Sequence, residues 1–347
     1  MKVLVIQIKM IGDVLASSVI CEAIKKRLPD AEIHYLIQKN TQPVVEQNPF
    51  IDKVIFFEPN IHRGFSGLFG LGKQFQNEKY DAVLDAYGKW ASLIPTLISK
   101  APMRIGFSKS YKNIFYTDAV VPKQNISGEA IVHRLQLAEA FLNERIAIDF
   151  PKIYLTENEI SEARKNMAKL NTEKPIAMIS LLGSDVSKSL PASYMAELLD
   201  NIASEKEVLM LLNFMPNQAS EALEIYNLCK PNTQNCIKID FYTKSLNAFL
   251  AVLSQCDALI GNEGGAVNMA KALRIKTFTI FSPWIEKKSW DMLEDDSSHV
   301  SVHLRDYFPE IYINEHPKKF KKKALEMYQL LQPNLFREKL NNFLNHI

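Results

Sequence analysis

Along most of the chain, short apolar runs alternate with stretches of helical spacing. KVLVIQI (2–8) is followed by Val14, Ser17, Ser18, Cys21, Ile24, Lys25 and Leu28, whose three-and-four spacing predicts a helix near 13–28. Further strands are predicted at EIHYLIQ (32–38), KVIFFE (53–58), DAVLDAY (81–87) and RIGF (104–107), punctuated by Pro29, Pro43, Pro49 and Pro59, with a helix near 129–142. The segment 151–175 is polar and bracketed by Pro151 and Pro175; inside it Thr156 and Glu159 have capping-box spacing. The alternation restarts with strands at IAMISLL (176–182), VLMLLNF (208–214), CIKI (236–239), DALIGN (257–262) and TFTIF (277–281). Helices are predicted between them after Pro191, near 218–229, near 245–254 and from Gly264.

This alternation predicts an α/β protein with two Rossmann-like parallel-sheet domains facing a cleft, ligands lying beyond the carboxyl ends of the strands. The expected organisation is a first domain at 1–150, a linker at 151–175, a second domain at 176–320 and a C-terminal helical segment at 321–347 that Pro333 breaks. A length of 347 residues suits two domains. A net charge of +2 gives no reason to expect a nucleic-acid partner, although KKFKKK (318–323) is locally basic. VLVIQI is short for an export signal, Lys9 and Asp13 soon break its apolar character, and no run of 18 apolar residues occurs, so a cytoplasmic location is expected. Cys21, Cys229, Cys236 and Cys256 show no C-x-x-C spacing and read as reduced thiols.

The better phosphate site lies in the second half. In ALIGNEGGAVNMAKAL (258–273) a strand turns into a helix at Gly264 and Gly265, where backbone N–H groups and the helix dipole can meet an anion. Glu263 beside it would repel that anion unless it faces a sugar hydroxyl. LLGSDVSKSLP (181–191) is the matching loop, with Ser184 as a donor and Lys188 as a point charge suited to phosphate. In the first half, Gly12-Asp13 stands where a phosphate loop is common. Its carboxylate reads either as a helix cap or as a base that accepts a proton from an incoming hydroxyl. GLFGLGKQ (67–74) fits G-x-x-x-x-G-K, but Gln74 replaces the Ser/Thr and no strand directly precedes it, so it reads as a mobile lip. His299 and His303 lie on a strand-like alternation, which would separate them by roughly 13 Å. EDD (294–296) reads as a solvated loop; there is no D-x-D pair, and no metal site is expected.

KVLVIQIKMIGDVLASSVICEAIKKRLPDAEIHYLI, NPFIDKVI (48–55), GSDVSKSLPASYMAELL and IGNEGGAVNMAKALRIKTFTIFSPW together resemble the bacterial heptosyltransferases, the family 9 glycosyltransferases of lipopolysaccharide core synthesis. The matching segments spread over roughly residues 1–290. The resemblance implies a GT-B architecture and an inverting, metal-independent transfer without a cofactor. By carry-over, Asp13 is the base, and Ser184, Lys188, Glu263, Gly264 and Gly265 hold a nucleotide-sugar donor, ADP-heptose in most of the family. Arg63, Lys73 and Arg134, with Lys9 and His133, are implied on the side that meets an anionic lipopolysaccharide core. The family's ribose carboxylate has Gln218 or Glu221 as candidates here. Asn268 stands where histidine is common, Gly264 where threonine is common, and Leu190 replaces an aromatic before Pro191. The terminal helix is expected to pack back on the first domain. The basic run is expected either on a solvated helix face or as a peripheral contact with the inner face of the inner membrane. Two other readings share the plan: a nucleotide-sugar epimerase, and a nucleotide-binding protein without catalysis.

Overall fold

The structure, a computed structural model, describes residues 1–347 apart from Asn125, Met292 and Asp296. The chain divides into two compact units, Met1–Tyr154 and Leu155–Ile347. Asp296 of the EDD stretch lies outside the described residues.

The first unit runs β1 (Lys2–Ile6), α1 (Ile11–Arg27), β2 (Glu32–Gln38), β3 (Lys53–Phe57), α2 (Gly64–Glu78), β4 (Ala82–Asp85), α3 (Trp90–Ile98), β5 (Met103–Phe107), β6 (Asp118–Val120) and α4 (Glu129–Leu142). All six strands are parallel, in the order β3-β2-β1-β4-β5-β6. Val3 to Ile6 of β1 are fully buried, as a central strand covered on both faces requires. The strand order reverses between β1 and β4, which makes the carboxyl ends of those two strands the natural ligand crevice. The expected mobile lip is instead part of α2. Gly72 serves packing: a Cβ there would stand 2.6 Å from the Cβ of Ile98 on α3, so glycine lets the two helices close on each other.

The second unit runs α5 (Glu157–Ala168), β7 (Ile176–Ser180), α6 (Ala192–Glu205), β8 (Leu209–Asn213), α7 (Ala219–Leu228), α8 (Pro231–Asn235), α9 (Leu246–Leu253), β9 (Ala258–Asn262), α10 (Gly265–Ala272), β10 (Lys276–Ile280), β11 (His299–Val302), α11 (Ala324–Leu330) and α12 (Arg337–Leu344). Its parallel sheet has the order β11-β10-β9-β7-β8, reversing between β7 and β9. CIKI makes a single bridge, Ile237 to Met210, and no strand.

Two expected boundaries differ. The supposed linker at 151–175 holds α5, closed by the Thr156–Glu159 capping box and tied to α9 by Asn247 Nδ2 donating to Glu159 Oε1 at 3.1 Å. Residues 155–175 therefore belong to the second unit and 151–154 to the first. The terminal segment 321–347, expected to return to the first domain, closes the second unit's own core. Phe336 and Phe343 pack on Phe278 of β10 at ring distances of 6.2 and 5.7 Å, beside fully buried Leu340. Pro333 does break this segment, between α11 and α12. The four cysteines are unpaired, and burial pushes the Cys229 and Cys256 thiols up to about 12.

Candidate functional site

Each sheet presents a set of polar side chains at its reversal point. In the first unit Asp13 sits in the first turn of α1, but it does not cap the helix: Met10 is the cap residue, and no side chain bonds there. The nearly buried carboxylate turns instead to Arg134 of α4, whose Nη2 donates to Asp13 Oδ1 at 2.9 Å. Lys9 Nζ lies 3.2 Å from both carboxylate oxygens. Arg134 is also steadied by Ser17 Oγ at 3.4 Å from its Nε, and Gln7 Nε2 joins that hydroxyl at 3.2 Å to the Ala86 carbonyl at 3.1 Å. Burial lowers the Arg134 pKa, with the Asp13 charge opposing the shift. At the end of β4, Asp85 is fully buried. Its Oδ1 accepts from the amides of Tyr87 and Gly88, each at 2.9 Å, and its Oδ2 from Ser92 Oγ and Tyr116 Oη, each at 2.8 Å. Burial raises its pKa despite these bonds.

In the second unit, Lys188 and Glu263 come together. Lys188 leaves the loop after β7 and its Nζ lies 3.1 Å from Glu263 Oε1, at the end of β9. Gly264 is the cap of α10, with φ +155° and no side-chain cap bond. A Cβ added to Gly264 or Gly265 would meet nothing within 4 Å, so the donor end of α10 opens onto free space. The lysine loop is held from three sides. Asn262, fully buried, accepts from Leu190 N at 2.8 Å and donates to Leu181 O at 2.8 Å. Ser282 Oγ and Trp284 Nε1, beyond β10, both donate to Ser187 O, at 2.7 and 2.9 Å. Gln218 Nε2 donates to Gly183 O at 2.8 Å. Gly183 is obligatory, since a Cβ there would collide with the Lys188 backbone.

Trp284 links a third element to this place. Lys188 Nζ lies 5.5 Å from its ring centre and Lys321 Nζ lies 4.8 Å from it. Lys321 belongs to KKFKKK, which forms a 3-10 turn within Pro317–Lys323 and packs Phe320 on Tyr312 at 5.2 Å.

Arg134 is half-buried and pairs with Asp13, unlike Arg63 and Lys73. Those two are exposed at the start and in the body of α2, Lys73 donating to Gln76 Oε1 at 3.0 Å. Ser184 is exposed on the lysine loop. Gln218 is engaged as a strut of that loop, and Glu221 is exposed and accepts from its neighbour Ser220. Asn262, Ser282, Trp284 and Lys321 escape sequence reasoning, because their partners lie tens of residues away in the chain. The asparagine ending a buried strand is the one local signal. Among the described residues, no three of His, Cys, Asp and Glu gather as metal ligands would.

Known proteins share this architecture. The model of glycosyltransferase family 9 (heptosyltransferase) matches residues 68–309. Lipopolysaccharide heptosyltransferase 1 of Campylobacter coli is 25% identical over 293 residues, covering 81% of this chain and 84% of that protein. Among solved structures, the Escherichia coli ADP-heptose lipopolysaccharide heptosyltransferase II superposes with a TM-score of 0.74 at 18% identity, covering 99% of both chains. Escherichia coli heptosyltransferase WaaC with ADP-2-deoxy-2-fluoro heptose gives 0.66 at 15% identity, covering 95% of this chain and 99% of that one.

Proposed function

We propose, on the premise that this chain belongs to glycosyltransferase family 9, the heptosyltransferases, that it moves a heptose from ADP-heptose to an anionic lipopolysaccharide inner core with inversion at the transferred carbon. The second unit takes the donor. Its diphosphate lies at the open N-terminal end of α10, where backbone N–H groups, Lys188 and Ser184 share the charge that grows on the leaving group. Glu263 then exchanges part of its contact with Lys188 for a hydroxyl of the sugar. The first unit takes the acceptor, with Arg63 and Lys73 on its anionic groups.

The reaction is a single displacement. An acceptor hydroxyl gives its proton to Asp13, its oxygen bonds to the anomeric carbon from the face opposite the diphosphate, and the bond from that carbon to the diphosphate breaks. No metal is needed in this scheme, because cationic side chains and helix N–H groups receive the leaving charge. Arg134 is a positioning residue: its bond to Oδ1 fixes the carboxylate that receives the proton. The enzyme works in the cytoplasm at the membrane face where the acceptor is made.

One observation carries this reading. The Asp13 carboxylate is not spent on capping α1, yet two cations hold it at the reversal point of the first sheet. Radiolabelled ADP-heptose with and without isolated core acceptor tests it. Acceptor-dependent transfer by the wild type, falling about 10²-fold or more in Asp13→Asn while ADP binding stays within twofold, is the expected result. Normal transfer by that variant would remove the base assignment. Donor isomerisation without acceptor would replace transferase with epimerase, and binding without turnover would leave a nucleotide-binding protein.

A further inference from the structure

The first unit displays a run of large apolar side chains that its core does not use. Phe65 is 71% exposed and lies 6.2 Å, ring to ring, from exposed Phe69 on the next turn of α2. Phe69 shares a cavity of about 480 Å³ with Leu97, which is exposed near the end of α3. Trp90 lies seven residues earlier on α3, two turns back on the same face, roughly 10 Å away. It is 54% exposed and stacks on exposed Tyr111 at 6.1 Å. Tyr111 belongs to the 3-10 turn Ser110–Phe115, which also carries Ile114, 75% exposed. Scattered exposed apolar residues are ordinary, but a chain of six neighbours is a patch.

The charge around this patch is mainly positive. From Ala86 to Thr117 the sequence holds Lys89, Lys100, Arg104, Lys109 and Lys112 and no acidic residue. Lys100 and Arg104 line the cavity together with Lys73, so three cations surround a pocket whose walls include Phe69, Leu97 and Ile98. Of the bounding acids, Asp85 is fully buried and Asp118 is exposed at the start of β6, so five cations stand against one exposed carboxylate.

We propose that this α2–α3–Ser110–Phe115 face seats the enzyme on an anionic lipid bilayer. Trp and Tyr side chains favour the depth of lipid headgroups, and Phe and Ile enter the acyl boundary. Lysines and arginines around them meet anionic headgroups. Durable peripheral attachment needs both signals, and this face carries both. In the cavity Lys100 and Arg104 receive a headgroup phosphate, the apolar walls lying against the adjoining chain. The inference deepens the proposed reading, since an acceptor anchored in a membrane requires its enzyme to visit one. It adds a second surface to KKFKKK, whose lysines are exposed while Phe320 packs on Tyr312.

Sedimentation of the full chain with vesicles tests this, using phosphatidylethanolamine with phosphatidylglycerol against pure phosphatidylcholine, and no lipopolysaccharide in either. The expected result is binding to the anionic vesicles at least tenfold stronger than to the neutral ones, weakened by salt. Phe65→Ser/Trp90→Ser/Ile114→Ser should lose tenfold or more of that binding, and Lys89→Glu/Lys109→Glu a similar amount. Both variants should keep wild-type circular dichroism and wild-type transfer to a delipidated soluble acceptor. Wild-type sedimentation by the triple variant, equal binding to neutral vesicles, or self-association of the chain through this face without lipid binding would each overturn the proposal. The transferase reading is judged separately, by the soluble-acceptor arm.

Discussion

Lys188 meets two partners that an incoming diphosphate must share: the Glu263 carboxylate at 3.1 Å and the Trp284 ring. A half-buried lysine neutralised by its neighbour attracts an anion less than a free one does, so Glu263 sets the affinity for nucleotide against the affinity for the sugar-bearing donor. Glu263→Gln should bind ADP about fivefold to tenfold more tightly, on the order of 1 kcal/mol, while transfer from ADP-heptose slows because the sugar loses an acceptor. Calorimetric titration of ADP beside donor kinetics reads both effects. Lys321→Met, at the far side of the same ring, should weaken ADP binding about threefold through the lost positive charge. Unchanged ADP affinity in both variants would place the diphosphate elsewhere.

The lysine loop keeps its shape because neighbouring elements hold it, and Asn262 is the principal tie between β9 and that loop. Asn262→Ala orphans the buried Leu190 N–H and Leu181 carbonyl and should cost the second unit about 2–4 kcal/mol in urea unfolding. Amide exchange over 183–190 should accelerate, with β10 unchanged; a variant as stable as wild type would mean that these groups find other partners. The contrast between this loop and the strands shows what a sequence makes legible. β1, β2, β7 and β9 are readable because a strand covered on both faces must be apolar throughout, which is a local property. Helix α3 is not, because WASLIPTLI contains a proline and almost no polar position, so no period marks it. Helix α2 is hidden by its glycines, although buried Leu68, Leu71 and Phe75 keep helical spacing. CIKI alternates like a strand, but the chain supplies it with one bridge to β8 and no ladder. In the site, Asp13, Lys188, Glu263 and the Gly264–Gly265 turn are legible as turn residues at strand ends. The clasp of Arg134 on Asp13 spans 121 residues and that of Trp284 on Ser187 spans 97, and no local pattern reports such a contact.

Across the whole molecule, burial of histidine sets the response to acid. His34 and His62 in the first unit and His299 and His303 in the second all have pKa values lowered chiefly by burial, the last two to about 4. A histidine kept neutral by the fold takes up a proton more readily when unfolded, so the unfolded state binds more protons between the two pKa values. Stability is then fully present above about 6.5 and drains away as pH falls toward 4. His303 is essentially buried, and its Nδ1 accepts from Arg305 N at 2.9 Å. With a folded pKa of about 4 it alone accounts for about 2 kcal/mol of loss by pH 5. Carboxylates act in a lower window: Asp295, held at about 2 against the opposing cost of burial by backbone N–H bonds from 297–299, keeps its contribution until pH falls below the ordinary aspartate value of 3.8. The two classes therefore separate on the pH axis. Urea midpoints should fall between pH 7.5 and 5, with a further fall below pH 4. His303→Asn, whose amide oxygen can replace the Nδ1 acceptor but cannot titrate, should shrink the first fall and leave the second intact. Equal losses in the variant and the wild type between pH 7.5 and 5 would show that His303 is not what makes the second unit sensitive to mild acid.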